Sequence, residues 1–135
     1  MKQPLLTSII ALLLSIGTAN AAWTRVAQTS DAVVYAEVNT LKRVGHIATL
    51  WQLHDLKTAR QTLITMSAGQ AYLSTKVLQE FDCPAAKVRT LSFAAHRGAM
   101  SSGDAVLSDQ DATPWASVFP GSVEETLFNI ACAKP

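Results

Sequence analysis

Strict alternation of apolar and polar positions marks residues 71–83 as a strand. Ala71, Leu73, Thr75, Val77, Gln79, Phe81 and Cys83 share one parity; Tyr72, Ser74, Lys76, Leu78, Glu80 and Asp82 share the other. Side chains of a strand alternate between its two faces, so the first set is expected inside and most of the second in water. Cys83 then lies on the core parity, where a covering helix would also lie. Pro84 has no N–H for a ladder and ends the run. Residues 87–96 read as the return strand, with Leu91, Phe93 and Ala95 inward and Lys87 and Arg89 near the open end.

Earlier in the chain, residues 23–27 form a short first strand, and the β-branched and aromatic run at 33–38 a second. Gly45 marks a tight turn. Residues 46–53 are apolar on both parities, as expected of a central strand covered on both faces. Residues 57–70 carry Thr58, Thr62, Thr65 and Gly69 with weak periodicity. They read as a long loop with a short extended piece at 63–66. Gly98 and Gly103 bracket a turn, residues 105–107 read as an edge strand, and 109–114 as a loop.

After Pro120 and Gly121 the period changes to that of a helix. Val123, Leu127, Ile130 and Ala131 fall on one face, with Phe128 and Cys132 one turn apart beside it. Ser122 followed by Glu125 is a capping box: the hydroxyl takes a free helix N–H and the carboxylate reaches back. Glu124 and Glu125 also complement the helix dipole. Phe119 stands near the position of a hydrophobic staple. So short a helix does not persist alone in water and must be held by packing.

The first 21 residues are an address. Lys2 precedes an apolar run over residues 5–16, and Ala19 and Ala21 fit the small-x-small pattern read by a signal peptidase. The run is short of the roughly 20 residues that span a bilayer. Residues 1–21 are therefore expected to be a cleaved signal peptide, leaving residues 22–135 as one domain in the periplasm or released. The absence of a cysteine near the cleavage point argues against a lipid anchor there.

The whole chain of 135 residues carries a formal charge of +1, and without Lys2 its charges balance. A dedicated nucleic-acid binder would show a basic excess. Two cysteines in an exported chain are most simply one disulfide, Cys83 to Cys132. A reactive thiol or a two-cysteine metal site are the alternatives.

No residue constellation calls for catalysis. His46 and His54 would lie roughly 26 Å apart along one unbroken strand, at about 3.3 Å per residue, too far to share a metal; His96 stands apart. A single-histidine haem contact stays open. Gly121-Ser122 lacks the following glycine of a nucleophile elbow, and the cap role accounts for the serine. Asp109 with Asp111, and Glu124 with Glu125, read as loop charge and dipole complement; a calcium loop would need a longer ligand series. Lys76, Lys87, Arg89 and Arg97 form a basic strip, read as a solvated sheet face or a site for an anion or partner. Trp23, Trp51 and Trp115 are expected as core and lid residues.

In order along the chain, Tyr35, residues 41–45 leading to Trp51, Ser74 with Lys76, and Glu80-Phe81-Asp82-Cys83 match a known pattern. Arg89, Gly103, Trp115, Pro120-Gly121-Ser122 and Cys132 complete it. The pattern resembles the surface-adhesin protein E family of bacterial exported proteins over nearly the whole mature chain. The resemblance implies an α+β fold: an antiparallel sheet of about six strands with a C-terminal helix disulfide-tethered to its concave face. It also implies a non-enzymatic binding module for a protein partner of the host matrix or serum type, with no resident cofactor. The same resemblance leaves open a homodimer. The alternatives are a carrier of haem or another small hydrophobic ligand, and an envelope accessory protein. No integral membrane segment is expected after signal cleavage.

Overall fold

The structure is a computed structural model that describes residues 22–62 and 69–134. Eight strands make one antiparallel sheet: β1 (Thr24–Gln28), β2 (Ala32–Ala36), β3 (Lys42–Val44), β4 (Ile47–Gln61), β5 (Ala71–Asp82), β6 (Lys87–His96), β7 (Ala105–Asp109) and β8 (Ala116–Ser117). Six run side by side in the order β1-β2-β4-β5-β6-β7; β3 adds to β4 and β8 to β6. The helix α1 (Val123–Ala131) closes the chain. Chain neighbours pair with one another, except that β2 pairs with β4 over the short β3 and β8 returns to β6 instead of β7. Meander topology of this kind needs only short connections.

Register assigns the faces. Ala48, Phe81 and Val88 stand in one cross-strand row, and Ala36, Gln52, Val77 and Phe93 in another. Helix α1 lies on this face: Leu127 and Ala131 pack with Ala36, Ala48, Leu50, Phe81 and Val88 as the buried cluster. Phe128 meets Phe81 edge to face at 6.2 Å between ring centroids, a favoured aromatic geometry. Burying one such side chain contributes about 1.5–3 kcal/mol. The disulfide joins Cys83, just past β5, to Cys132 at the helix end, with 5.6 Å between Cα atoms. The parity argument for Cys83 and the pairing are thus both seen. The cap forms as well: Ser122 Oγ accepts from Glu125 N–H at 3.1 Å, and Glu125 Oε1 takes the Gly121 N–H at 3.3 Å.

Several expectations need correction. Residues 57–61 are not loop; β4 continues through Gln61 and pairs with Ala71 and Tyr72 of β5. Threonine and glutamine suffice there because the partner strand supplies the ladder. The extended piece expected at 63–66 lies outside the described residues. The other parity of β5 is not mostly wet. Ser74 is fully buried, and no member of that set is exposed. A turn at Ala99–Ser101 folds over it: Ser74 Oγ donates to the Gly98 carbonyl at 2.6 Å and accepts from Ser101 N–H at 2.8 Å.

Strand β6 departs from simple alternation as well. Its register with β5 slips by one between the Leu78–Ser92 and Gln79–Thr90 pairs, leaving Leu91 as the inserted residue. A bulge of this kind reverses the face of every later side chain. Val88 and Thr90 therefore share the helix face with Phe93 and Ala95, and Lys87 and Arg89 take the outer face. Phe119 forms no staple; it is 72% exposed. Gly45 stands at φ +60° in the two-residue turn between Val44 and Ile47, a position that suits glycine at the head of a tight hairpin.

Candidate functional site

The helix is shorter than the face it sits on. It packs over the rows of Ala48 and Leu50, and beyond its first turn residues of the Gln52 and His54 rows line depressions in the face. Three depressions of about 370, 310 and 300 Å³ meet there, and Thr90 lines all of them. Together they form a trough along β4, β5 and β6. Gln52, His54, Tyr72, Thr75 and Arg60 line its first part; Val88, Pro114 and Phe119 its second; Phe93, Leu107, Asp109 and Asp111 its third. Glu124, in the first turn of α1, borders the first two.

A directed chain of side-chain hydrogen bonds crosses this floor. Gln79 Nε2 donates to Thr90 Oγ1 at 3.3 Å, Gln52 Nε2 donates to Gln79 Oε1, and Gln52 Oε1 lies 2.8 Å from His54 Nε2. Because the Gln52 amide nitrogen is already committed as donor, its oxygen must accept from His54. The histidine therefore carries its proton on Nε2, and Nδ1 keeps its lone pair. Burial holds the His54 pKa below 6.5; the Glu124 carboxylate opposes that shift and the Arg60 guanidinium adds to it. Gln52 is only 3% exposed, so its bonds on both sides offset the desolvation of a buried amide.

The remaining sequence candidates scatter. His46 is exposed in the turn before β4, and its carbonyl accepts the Cys83 N–H at 3.1 Å. His96 donates from Nδ1 to the Gly103 carbonyl at 3.1 Å. The three histidines take separate places, and nothing at them supports haem: His54 is bonded to Gln52, His96 to Gly103, and His46 is exposed in a turn. Among the described residues no group of three or more His, Cys, Asp or Glu is placed to hold a metal. Asp109 Oδ1 accepts the Asp111 N–H at 2.8 Å, an ordinary loop bond. Ser122 is occupied as the cap.

The basic strip divides. Arg89 pairs with Glu80 and stacks on Trp115, its guanidinium carbon 4.6 Å from the ring centroid. Lys76 stands over two rings, 4.6 Å from Trp51 and 5.9 Å from Trp23. Arg97 turns away to Gln70. The three tryptophans are thus half-buried platforms for cations, not core residues. Gln52 and Thr90 were not singled out from sequence. A glutamine at position 52, inside a run apolar on both parities, was the available signal, and Gln79 already stood on the inner parity of β5.

The model of the family described as surface-adhesin protein E matches residues 23–133. Two solved structures of Haemophilus influenzae protein E resemble the fold, with TM-scores of 0.62 and 0.61. Each is 11% identical in sequence and spans 86% of this chain, and 91% and 87% of its own. A third, of protein E from non-typeable Haemophilus influenzae, gives 0.59 at 11% identity, over 87% of this chain and 79% of its own. No curated protein sequence matches. With its antiparallel sheet, tethered helix and family match running from Trp23 almost to the C-terminus, the chain belongs to the surface-adhesin protein E family.

Proposed function

We propose that the chain is an exported, non-enzymatic adhesin module that docks a protein partner of the host matrix or serum type through the trough beside α1. Signal cleavage after Ala21 releases it to the periplasm or beyond. The observation that carries the reading is the open part of the helix face, where a core surface gives way to a floor of hydrogen-bonded amides and hydroxyls. Interfaces combine aromatic and polar groups in this way, with apolar contact at the centre and satisfied polar groups around it. Phe93 and Leu107 supply apolar area within the trough, and Phe119, exposed at its border, supplies an aromatic anchor of the kind that dominates binding energy.

The test is binding of the mature chain, residues 22–135, to an immobilised panel of extracellular-matrix proteins and to serum at physiological salt. Saturable binding that weakens in Phe119→Ala and in Gln79→Leu is expected. Binding that vanishes with added salt, or that neither substitution changes, sinks the proposal.

A further inference from the structure

The outer face of the sheet, away from the trough, has a depression of its own. A depression of about 390 Å³ lies between β3, β4, β5 and the turn at Val38–Thr40, lined by Asn39, Thr40, Lys42, Thr49, Trp51 and Leu78. Register explains the grouping: Lys42 stands opposite Thr49, and Trp51 opposite Leu78, all on one face. The volume falls within the range of about 300–1,000 Å³ found for small-ligand pockets. Lys76 Nζ lies over the Trp51 ring that lines the depression.

Two features give the site its chemistry. The first is charge without a partner. The ion pairs among the described residues are Arg60 with Asp31 and Arg89 with Glu80; Lys42 and Lys76 form none, and Glu80, in the row of Lys42 and Thr49, is engaged by Arg89. Lys76 is instead held by the electron-rich faces of Trp51 and Trp23, which fixes a cation in place without neutralising it. The second is shape. The Trp51 indole, one face of which carries Lys76, lines the depression beside Leu78 as a flat apolar edge or surface, and Asn39, Thr40 and Thr49 offer an amide and hydroxyls around it. A pyranose ring presents an apolar C–H face to such a floor and hydroxyls to such walls. An acidic peptide would use the lysines alone.

We infer that this depression binds one acidic sugar unit of a glycan, its ring against Trp51 and Leu78 and its carboxylate or sulfate between Lys42 and Lys76. The site is independent of protein docking in the trough, since it lies on the opposite face. The test titrates residues 22–135 at physiological salt with a heparin hexasaccharide, neutral maltohexaose and hexaglutamate, following tryptophan fluorescence and calorimetry. Saturable binding of the heparin fragment with a fluorescence change is expected, with no binding of maltohexaose. About tenfold or greater weakening is expected in Lys42→Gln, Lys76→Gln and Trp51→Leu. Lys42 is exposed at the start of β3, so its variant keeps the fold even where Trp51→Leu does not. Phe119→Ala should bind the sugar as the parent does. Hexaglutamate binding as well as heparin, or Lys42→Gln and Lys76→Gln binding unchanged, overturns the assignment.

Discussion

The Arg43 guanidinium donates to the carbonyl of Ala131, 88 positions along the chain, from Nη2 at 2.6 Å and Nε at 3.0 Å. Nη2 also reaches the Ala133 carbonyl. Helix α1 has no basic residue in its own last turn, so β3 supplies the cation that the negative end of the dipole favours. Arg43→Ala should cost about 1 kcal/mol, below the roughly 1.5–3 kcal/mol of hydrogen bonds to a charged group because the arginine is exposed. Urea unfolding measures the loss, and amide exchange should place it at residues 129–133. An unchanged midpoint would show that solvent replaces these bonds.

Reduction of the disulfide, or Cys132→Ser, should release α1 before the sheet. The bridge closes a span of 49 residues, for which chain entropy predicts about 4 kcal/mol. The helix is nine residues long and too short to persist unaided. Amide exchange on reduced protein should show protection lost first over Val123–Ala131. Equal, simultaneous loss throughout β4 and β5 would contradict this order.

His54 should make stability depend on pH. Burial lowers its folded-state pKa below the value of 6.5 for the unfolded chain. The unfolded state then binds the proton more readily, so stability rises with pH across this window. The contribution is complete above 6.5 and is lost as pH falls below it toward the folded-state value. Urea midpoints followed downward from neutral pH should decline, and His54→Gln should flatten that decline. A parallel decline in the variant would assign the effect to other groups.

Phe81→Ala should be the most damaging single truncation in the sheet. Its ring is fully buried between the strands and α1 and meets Phe128 edge-on. Loss of a buried phenylalanine costs about 3–5 kcal/mol. Thermal melting should show the drop, with a smaller one for Phe128→Ala, whose side chain is only half-buried. The reverse order would mean that the helix, rather than the sheet, holds the core together.

Much of the architecture was legible along the chain because it rests on local chemistry. Alternation in β5 placed Val77, Phe81 and Cys83 on the core side, and Ser122 with Glu125 announced the start of α1. Pairing was less visible. The inserted Leu91 in β6 depends on register against β5, and no propensity of its own marks it. Strands β3 and β8 are three and two residues long and exist through the neighbours they pair with. Residues 57–61 looked like loop because their threonine and glutamine content is neutral until Ala71 and Tyr72 arrive beside them.

The sites divide along the same line. Periodicity, caps and cysteines by themselves determined a sheet with a tethered C-terminal helix, since each acts over a few residues or through one covalent link. Tertiary structure alone decided that Gln52, Gln79, Thr90 and His54 form one bonded row, and that Lys76 rests between Trp23 and Trp51. Those groups come from different strands or from alternate positions on one. Their meeting depends on cross-strand register, which is set by how the whole sheet pairs and not by any stretch within it.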